Sequence, residues 1–120
     1  MRSKIEAAYG TDSVLVLAPT GVAALNIEGC TIHSKLYINT NKEFGQLENK
    51  SARKFCNDFK NVKFVIIDEF SMVGLKMIGM IDQRLRQATG KNNENFGGLC
   101  VYFFGKQKIH LIFFFDLLCS

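Results

Sequence analysis

Residues 64–69 read Phe-Val-Ile-Ile-Asp-Glu: four apolar side chains followed at once by two carboxylates. A short, wholly apolar, β-branched run predicts a strand buried on both faces of a parallel sheet. Such a strand delivers the side chains that follow it rigidly to the sheet edge, where ligands of open α/β sheets bind. There Asp68 can hold Mg²⁺, through water, beside nucleotide phosphates. Glu69 can polarise the water that attacks the γ-phosphate. Adjacent strand residues point opposite ways, so a turn beginning at Glu69 must swing the second carboxylate round. A plainer reading stands beside this one: the two acids end a strand and cap the following helix. For the acidic pair in isolation the plainer reading leads. It yields only where neighbouring segments agree.

Working outward, Ser13–Ala18 (SVLVLA) is a second continuous apolar run and predicts another buried strand. Pro19, Thr20 and Gly21 break it, and a short helix is expected over residues 22–27, ended by Gly29. On the far side of the acidic pair, Ile78, Ile81, Leu85 and Ala88 recur at steps of three and four. That spacing predicts an amphipathic helix covering the sheet, with Asp82 and Arg86 paired on its outer face. Gly90 and Asn92–Asn93 end it, and Leu99–Phe104 (LCVYFF) reads as a third strand closed by Gly105. Residues 39–61 are polar and charged and are expected to form a loop plus one exposed helix. Residues 2–9 are expected to end a helix closed by Gly10. Strands alternating with helices predict an α/β fold, a mostly parallel sheet with helices on both faces.

The crossover Leu17–Ser34 (LAPTGVAALNIEGCTIHS) is the second informative stretch. Thr20 and Gly21 stand where a strand end opens a helix, and backbone N–H groups there can bind phosphate. Thr31, His33 and Ser34 are small polar groups suited to a nucleic-acid backbone. The plainer reading makes Thr20 a helix cap and His33 a locally satisfied side chain. On spacing alone it is favoured for His33.

Bulk properties bound the rest. The chain has 120 residues, 48% hydrophobic and 22% charged, enough for one small domain with a core or a piece of a larger one. The formal net charge of +4 is compatible with a polyanionic partner and equally with an ordinary basic domain. Cys30, Cys56, Cys100 and Cys119 form no CxxC pair, so free thiols in a reducing compartment are expected. The N-terminus lacks the apolar run of a secretory signal. The apolar stretch Ile109–Leu118 is too short to cross a bilayer and contains Asp116. An intracellular protein without a membrane partner is expected, nuclear or mitochondrial if it handles DNA.

Three stretches, APTGVAALNIEGCTIHS, VIIDEFSMVGLKMIGMIDQRLRQ and NFGGLCVYFFG, together resemble the PIF (petite integration frequency) helicase family, superfamily-one 5′-to-3′ DNA helicases. The resemblance runs from about Val14 to Gly105, in the family's order and roughly its spacing. It implies part of a RecA-like P-loop NTPase domain, with ATP as substrate, Mg²⁺ as cofactor and single-stranded DNA as partner. It implies that Asp68 holds Mg²⁺ and that Glu69 activates water. Pro19, Thr20, Gly21, Thr31, His33 and Ser34 match the family's single-strand contacts. Ser71 and Met72 match the tail of the acidic motif, where they are expected to shape and pack the turn.

There are departures too. The sequence contains no G-x-x-x-x-G-K-[ST] phosphate loop. After Gly105 it reads KQKIHLIFFFDLLCS, with Lys106 where the family has an acid and no counterpart to its sensor glutamine. These departures set the expected organisation: a partial motor domain over residues 1–105, then a divergent apolar tail over residues 106–120. The second motor domain, with its arginine finger, has no counterpart either. Negligible ATPase activity is therefore expected of the chain alone. Two alternatives stay open at this point. One is a non-catalytic DNA-binding remnant or functionless gene fragment. The other is a different P-loop ATPase, such as a RecD-like helicase or, less compatible with TIHS, a AAA+ protein.

Overall fold

The computed structural model describes residues 13–39 and 41–105 and the backbone of Ile109–His110. The helix expected before Gly10 and the apolar tail beyond His110 lie outside these residues.

The two valine- and isoleucine-rich runs pair side by side at the centre of the sheet. Strand β1 (Val14–Ala18) has all five residues buried, and it runs parallel to β3 (Phe64–Ile67) with Leu17 opposite Ile67. Strand β2 (Cys30–Thr31) flanks β1, and β4 (Cys100–Phe104) flanks β3, both parallel. The two-residue β5 (Ile109–His110) adds to β4 antiparallel, giving the order β2-β1-β3-β4-β5.

Alternation along the strands splits the core in two. Leu15, Leu17, Val65, Ile67, Val101 and Phe103 face a large cluster, and Val14, Val16 and Ile66 face a smaller one. The described residues include α-helices α1 (Gly21–Asn26), α2 (Ile32–Lys35), α3 (Asn49–Asp58) and α4 (Leu75–Thr89), of which α2 was not expected from the sequence. Ile81 and Leu85 of α4 are fully buried, and Phe55 of α3 and Ile32 of α2 join them in the large cluster. Ile27, just past α1, packs on the smaller one.

Two expectations need correction here. The helix within residues 39–61 is not exposed on every side: Phe55 and Phe59 recur at a helical step of four and are buried, their rings tilted against each other at a centroid distance of 4.7 Å. The Asp82–Arg86 pair forms at 3.0 Å but is half-buried. Asp82 Oδ1 also accepts from Phe96 N–H at 2.6 Å, and Arg86 donates to Asn92 O and Asn95 Oδ1. The pair therefore ties down the loop that returns the chain from α4 to β4.

Candidate functional site

Every parallel strand ends on the same side, so the polar residues that follow them gather at one edge. Asp68 N–H donates to Leu17 O at 2.9 Å, which holds Asp68 level with Ala18. Ala18 is in turn paired with Thr31. Asp68, Ala18 and Thr31 thus form a row across three adjacent strands, about 10 Å wide at the usual strand spacing of about 4.8 Å.

The turn after Asp68 is built as the alternation of the strand demands. Glu69 adopts left-handed backbone angles, φ 55 and ψ 44, and its carbonyl accepts from Met72 N–H at 3.0 Å. The conformation costs a non-glycine residue on the order of 1 kcal/mol. Packing fixes it: Phe70 sits edge-on to Phe103 at 6.3 Å, and Val73 is buried. The packing expected of Ser71 and Met72 is not found. Ser71 is exposed, and Met72 is 62% exposed.

Glu69 carries the strongest signal of a missing partner. Its Oε2 is buried and has no hydrogen-bond partner among the described residues. A carboxylate oxygen removed from water without a donor or cation is costly, and such atoms are rare in folded proteins. Asp68 beside it supplies a second hard oxygen donor, half-buried. Two carboxylates are hard oxygen donors of the kind that suit Mg²⁺, which is commonly held by one or two carboxylates while water and phosphate fill its other positions.

The other candidate residues fall on the same edge or one turn away. Thr20 caps α1, accepting from Ala23 N–H at 3.2 Å, and Pro19 beside it is half-buried. Gly21 is exposed, with open space where a Cβ would stand. Thr31 caps α2: its hydroxyl accepts from Ser34 N–H at 3.2 Å and donates to Ser34 Oγ at 2.7 Å. The capping expected of Thr20 on the plainer reading is therefore present. Capping engages Thr20 only as an acceptor, so its hydroxyl proton stays available to donate. Thr31, His33 and Ser34 line a groove of about 610 Å³ together with Tyr37, Ile38 and Asn39.

One residue behind this groove escaped the sequence reading. Arg84 is only 5% exposed, and its guanidinium donates to three backbone carbonyls: Leu36 (2.8 Å), Gly45 (2.6 Å) and Tyr37 (3.0 Å). The ring of Phe44 lies 4.4 Å from it. Burial lowers its proton affinity from the ordinary arginine value. Arg84 thereby fastens the irregular chain after α2, which forms the groove wall, to α4. A signal was available: Arg84 stands three residues after Ile81, on the apolar stripe itself.

A parallel sheet with an acidic turn after an inner strand and helix caps after its neighbours is the layout of a RecA-like motor domain. Comparison with known proteins specifies it further. The profile of the PIF1-like helicase family matches residues 1–111. The ATP-dependent DNA helicase PIF1 of Saccharomyces cerevisiae is 36% identical over 100 residues, 81% of this chain and 12% of that protein. RRM3 of the same species, also an ATP-dependent DNA helicase, is 34% identical over 99 residues, 80% of this chain and 14% of that protein. Among solved structures, a Bacteroides Pif1 helicase in complex with ADP-AlF3 and ssDNA superposes with a TM-score of 0.67 at 37% identity, covering 78% of this chain and 22% of that one. Pif1 helicase from Candida albicans gives 0.70 at 30% identity, covering 87% and 25%. The chain belongs to the PIF1-like helicase family and spans about an eighth of the length of these curated relatives. This excludes the AAA+ reading and favours the family over a RecD-like relative.

Proposed function

We propose that this chain is the magnesium- and water-handling part of an ATP-dependent DNA helicase motor. The buried, unpartnered Oε2 of Glu69 carries the proposal. Bound Mg²⁺ would neutralise charge on the β- and γ-phosphates of ATP. Asp68, at the end of a rigid strand, would hold it. Glu69, turned by its left-handed backbone, would accept a hydrogen bond from the attacking water and orient it. Its strained backbone and buried oxygen cost stability in the free protein.

Single-stranded DNA is the second partner. Thr20 and Gly21 present a helix start to a phosphate, and Pro19 sets the direction of the chain into it. Thr31, His33 and Ser34 offer hydroxyl and imidazole donors along the groove to sugar and phosphate. Because Thr31 and Asp68 stand on strands either side of β1, closure of a second motor domain on the nucleotide would be felt at the DNA contacts.

The test belongs to a motor in which this segment is joined to a phosphate loop and a second domain. There Glu69→Gln should leave ATP affinity within about twofold and slow Mg²⁺-dependent hydrolysis about 10²- to 10⁴-fold. Undiminished hydrolysis would refute the role given to Glu69.

A further inference from the structure

The end of the sheet opposite the acidic turn has chemistry of its own. Residues 48–63 carry five cationic side chains, Lys50, Arg53, Lys54, Lys60 and Lys63, against two acids, Glu48 and Asp58. All five cations are exposed, and none forms an ion pair among the described residues. Their arrangement is set by the core. Phe55 and Phe59 turn inward from α3, so positions 50, 53, 54 and 57 fall together on its outer face.

The place of this face is well fixed. Cys56 Sγ–H donates to Gln87 O at 3.4 Å, and the Gln87 side chain exchanges hydrogen bonds with the backbone of Leu47 at 3.1 and 2.8 Å. Helix α3 therefore lies across the last turn of α4. Lys63 immediately precedes β3, its N–H donating to Ser13 O and its carbonyl accepting from Cys100 N–H. Asp68 immediately follows the same strand, so the two are about 16 Å apart at about 3.3 Å per residue. Lys60 and Lys63 also meet Lys91 in a groove of about 400 Å³ whose wall includes Gly97 and Gly98. Lys91 is partly neutralised by Glu94 at 4.0 Å.

We propose that this amino-end face is a second nucleic-acid surface, one that holds the sugar–phosphate backbone of duplex DNA. Charge points to a polyanion, and the absence of stacking rings points to a duplex. Single-strand binders offer aromatic faces to unstacked bases. Here Phe55 of α3, and Phe59 just past its end, turn into the core, so the exposed side chains of α3 are Lys50, Arg53 and Lys54 among small polar residues and Asp58, with no ring among them. The ten residues of α3 extend about 15 Å, matching four to five base-pair steps of about 3.4 Å. The surface is independent of the carboxyl-edge reading, and either can stand without the other.

Fluorescence anisotropy of the purified chain with a labelled duplex of about 20 base pairs, between about 50 and 200 mM NaCl, tests this. Neutralising Arg53, Lys54, Lys60 and Lys63 together to Gln should weaken duplex binding at least tenfold at the low-salt end. Each lost phosphate contact should flatten the log-affinity against log-salt slope by about 0.9, so a fall of at least about 2 is expected. Replacing the three lysines by Arg should restore both, and Lys76→Gln, an exposed cation in the first turn of α4 outside this face, should change neither. An unchanged slope in the neutralised protein, or duplex binding lost equally through Lys76→Gln, would overturn the proposal. So would binding of phosphatidylserine vesicles in place of duplex.

Discussion

At the residue scale the site rests on one carboxylate held at a cost. Glu69 is bent into left-handed angles and has an oxygen buried without a donor, so the free protein sacrifices stability there. Glu69→Gln keeps the shape and removes the charge. It should raise stability by up to about 1 kcal/mol, read as a higher urea midpoint at unchanged slope, because relieved desolvation exceeds anything lost. A lower midpoint would mean that the carboxylate has a stabilising partner. Arg84 is the opposite case. Arg84→Met strands three carbonyls and should destabilise by about 3 kcal/mol in the same measurement. The contrast shows what the sequence could reveal. Asp68 and Glu69 were legible as two acids placed at the end of a buried strand, and it was the neighbouring segments, not the pair alone, that gave them a chemical reading. Arg84 was not, because a charge in a helix is ordinarily solvated and only its place on the Ile81–Leu85–Ala88 stripe marks it as buried. The carbonyls that satisfy it come from irregular chain, whose course no periodicity encodes.

At the element scale, the three longer strands followed from their apolar runs nearly to the residue and the helix α4 from its apolar stripe, while the two-residue strands β2 and β5 left no such signal. The run FVII is β3 itself, and the Ile81–Leu85–Ala88 stripe is the buried face of α4. Less visible was the return from α4 to β4. There Phe96, Gly97 and Gly98 are three successive left-handed residues, tied down by Asp82 and Arg86. A Cβ on Gly97 would run into Leu85 O and Thr89 Oγ1, which is why the helix can lie so close to this loop. Gly97→Ala should therefore cost about 2 kcal/mol or more. Gly79→Ala, at an exposed position within α4 with open space around it, should instead gain about 0.5–1 kcal/mol. Thermal denaturation of the two variants should move the midpoint in opposite directions. Movement of both the same way would contradict the placement of that loop. Helix α3 was legible as a mostly exposed helix, and what escaped was its inward anchor, Phe55 together with Phe59 just past its end, set among polar neighbours.

At the scale of the molecule, a parallel sheet sorts its chemistry by pole. Strand ends carry the acids and helix caps of the carboxyl edge, and strand starts lie beside the cations of α3 and its following turn. The family relationship agrees with the fold and with both sequence signatures, APTG…TIHS and IDE. The roles given to individual residues rest on the geometry at the carboxyl edge and stand to be measured there. The most direct measurement is equilibrium binding of a fluorescent ATP analogue, with and without Mg²⁺, to a motor in which this segment is joined to a phosphate loop and a second domain, beside its Asp68→Ala variant. The account predicts binding that requires Mg²⁺ and weakens at least about tenfold in Asp68→Ala, since about 1.4 kcal/mol or more of phosphate–metal contact would be lost. Affinity indifferent to Mg²⁺, or unchanged in Asp68→Ala, would contradict a magnesium–nucleotide site at the carboxyl edge.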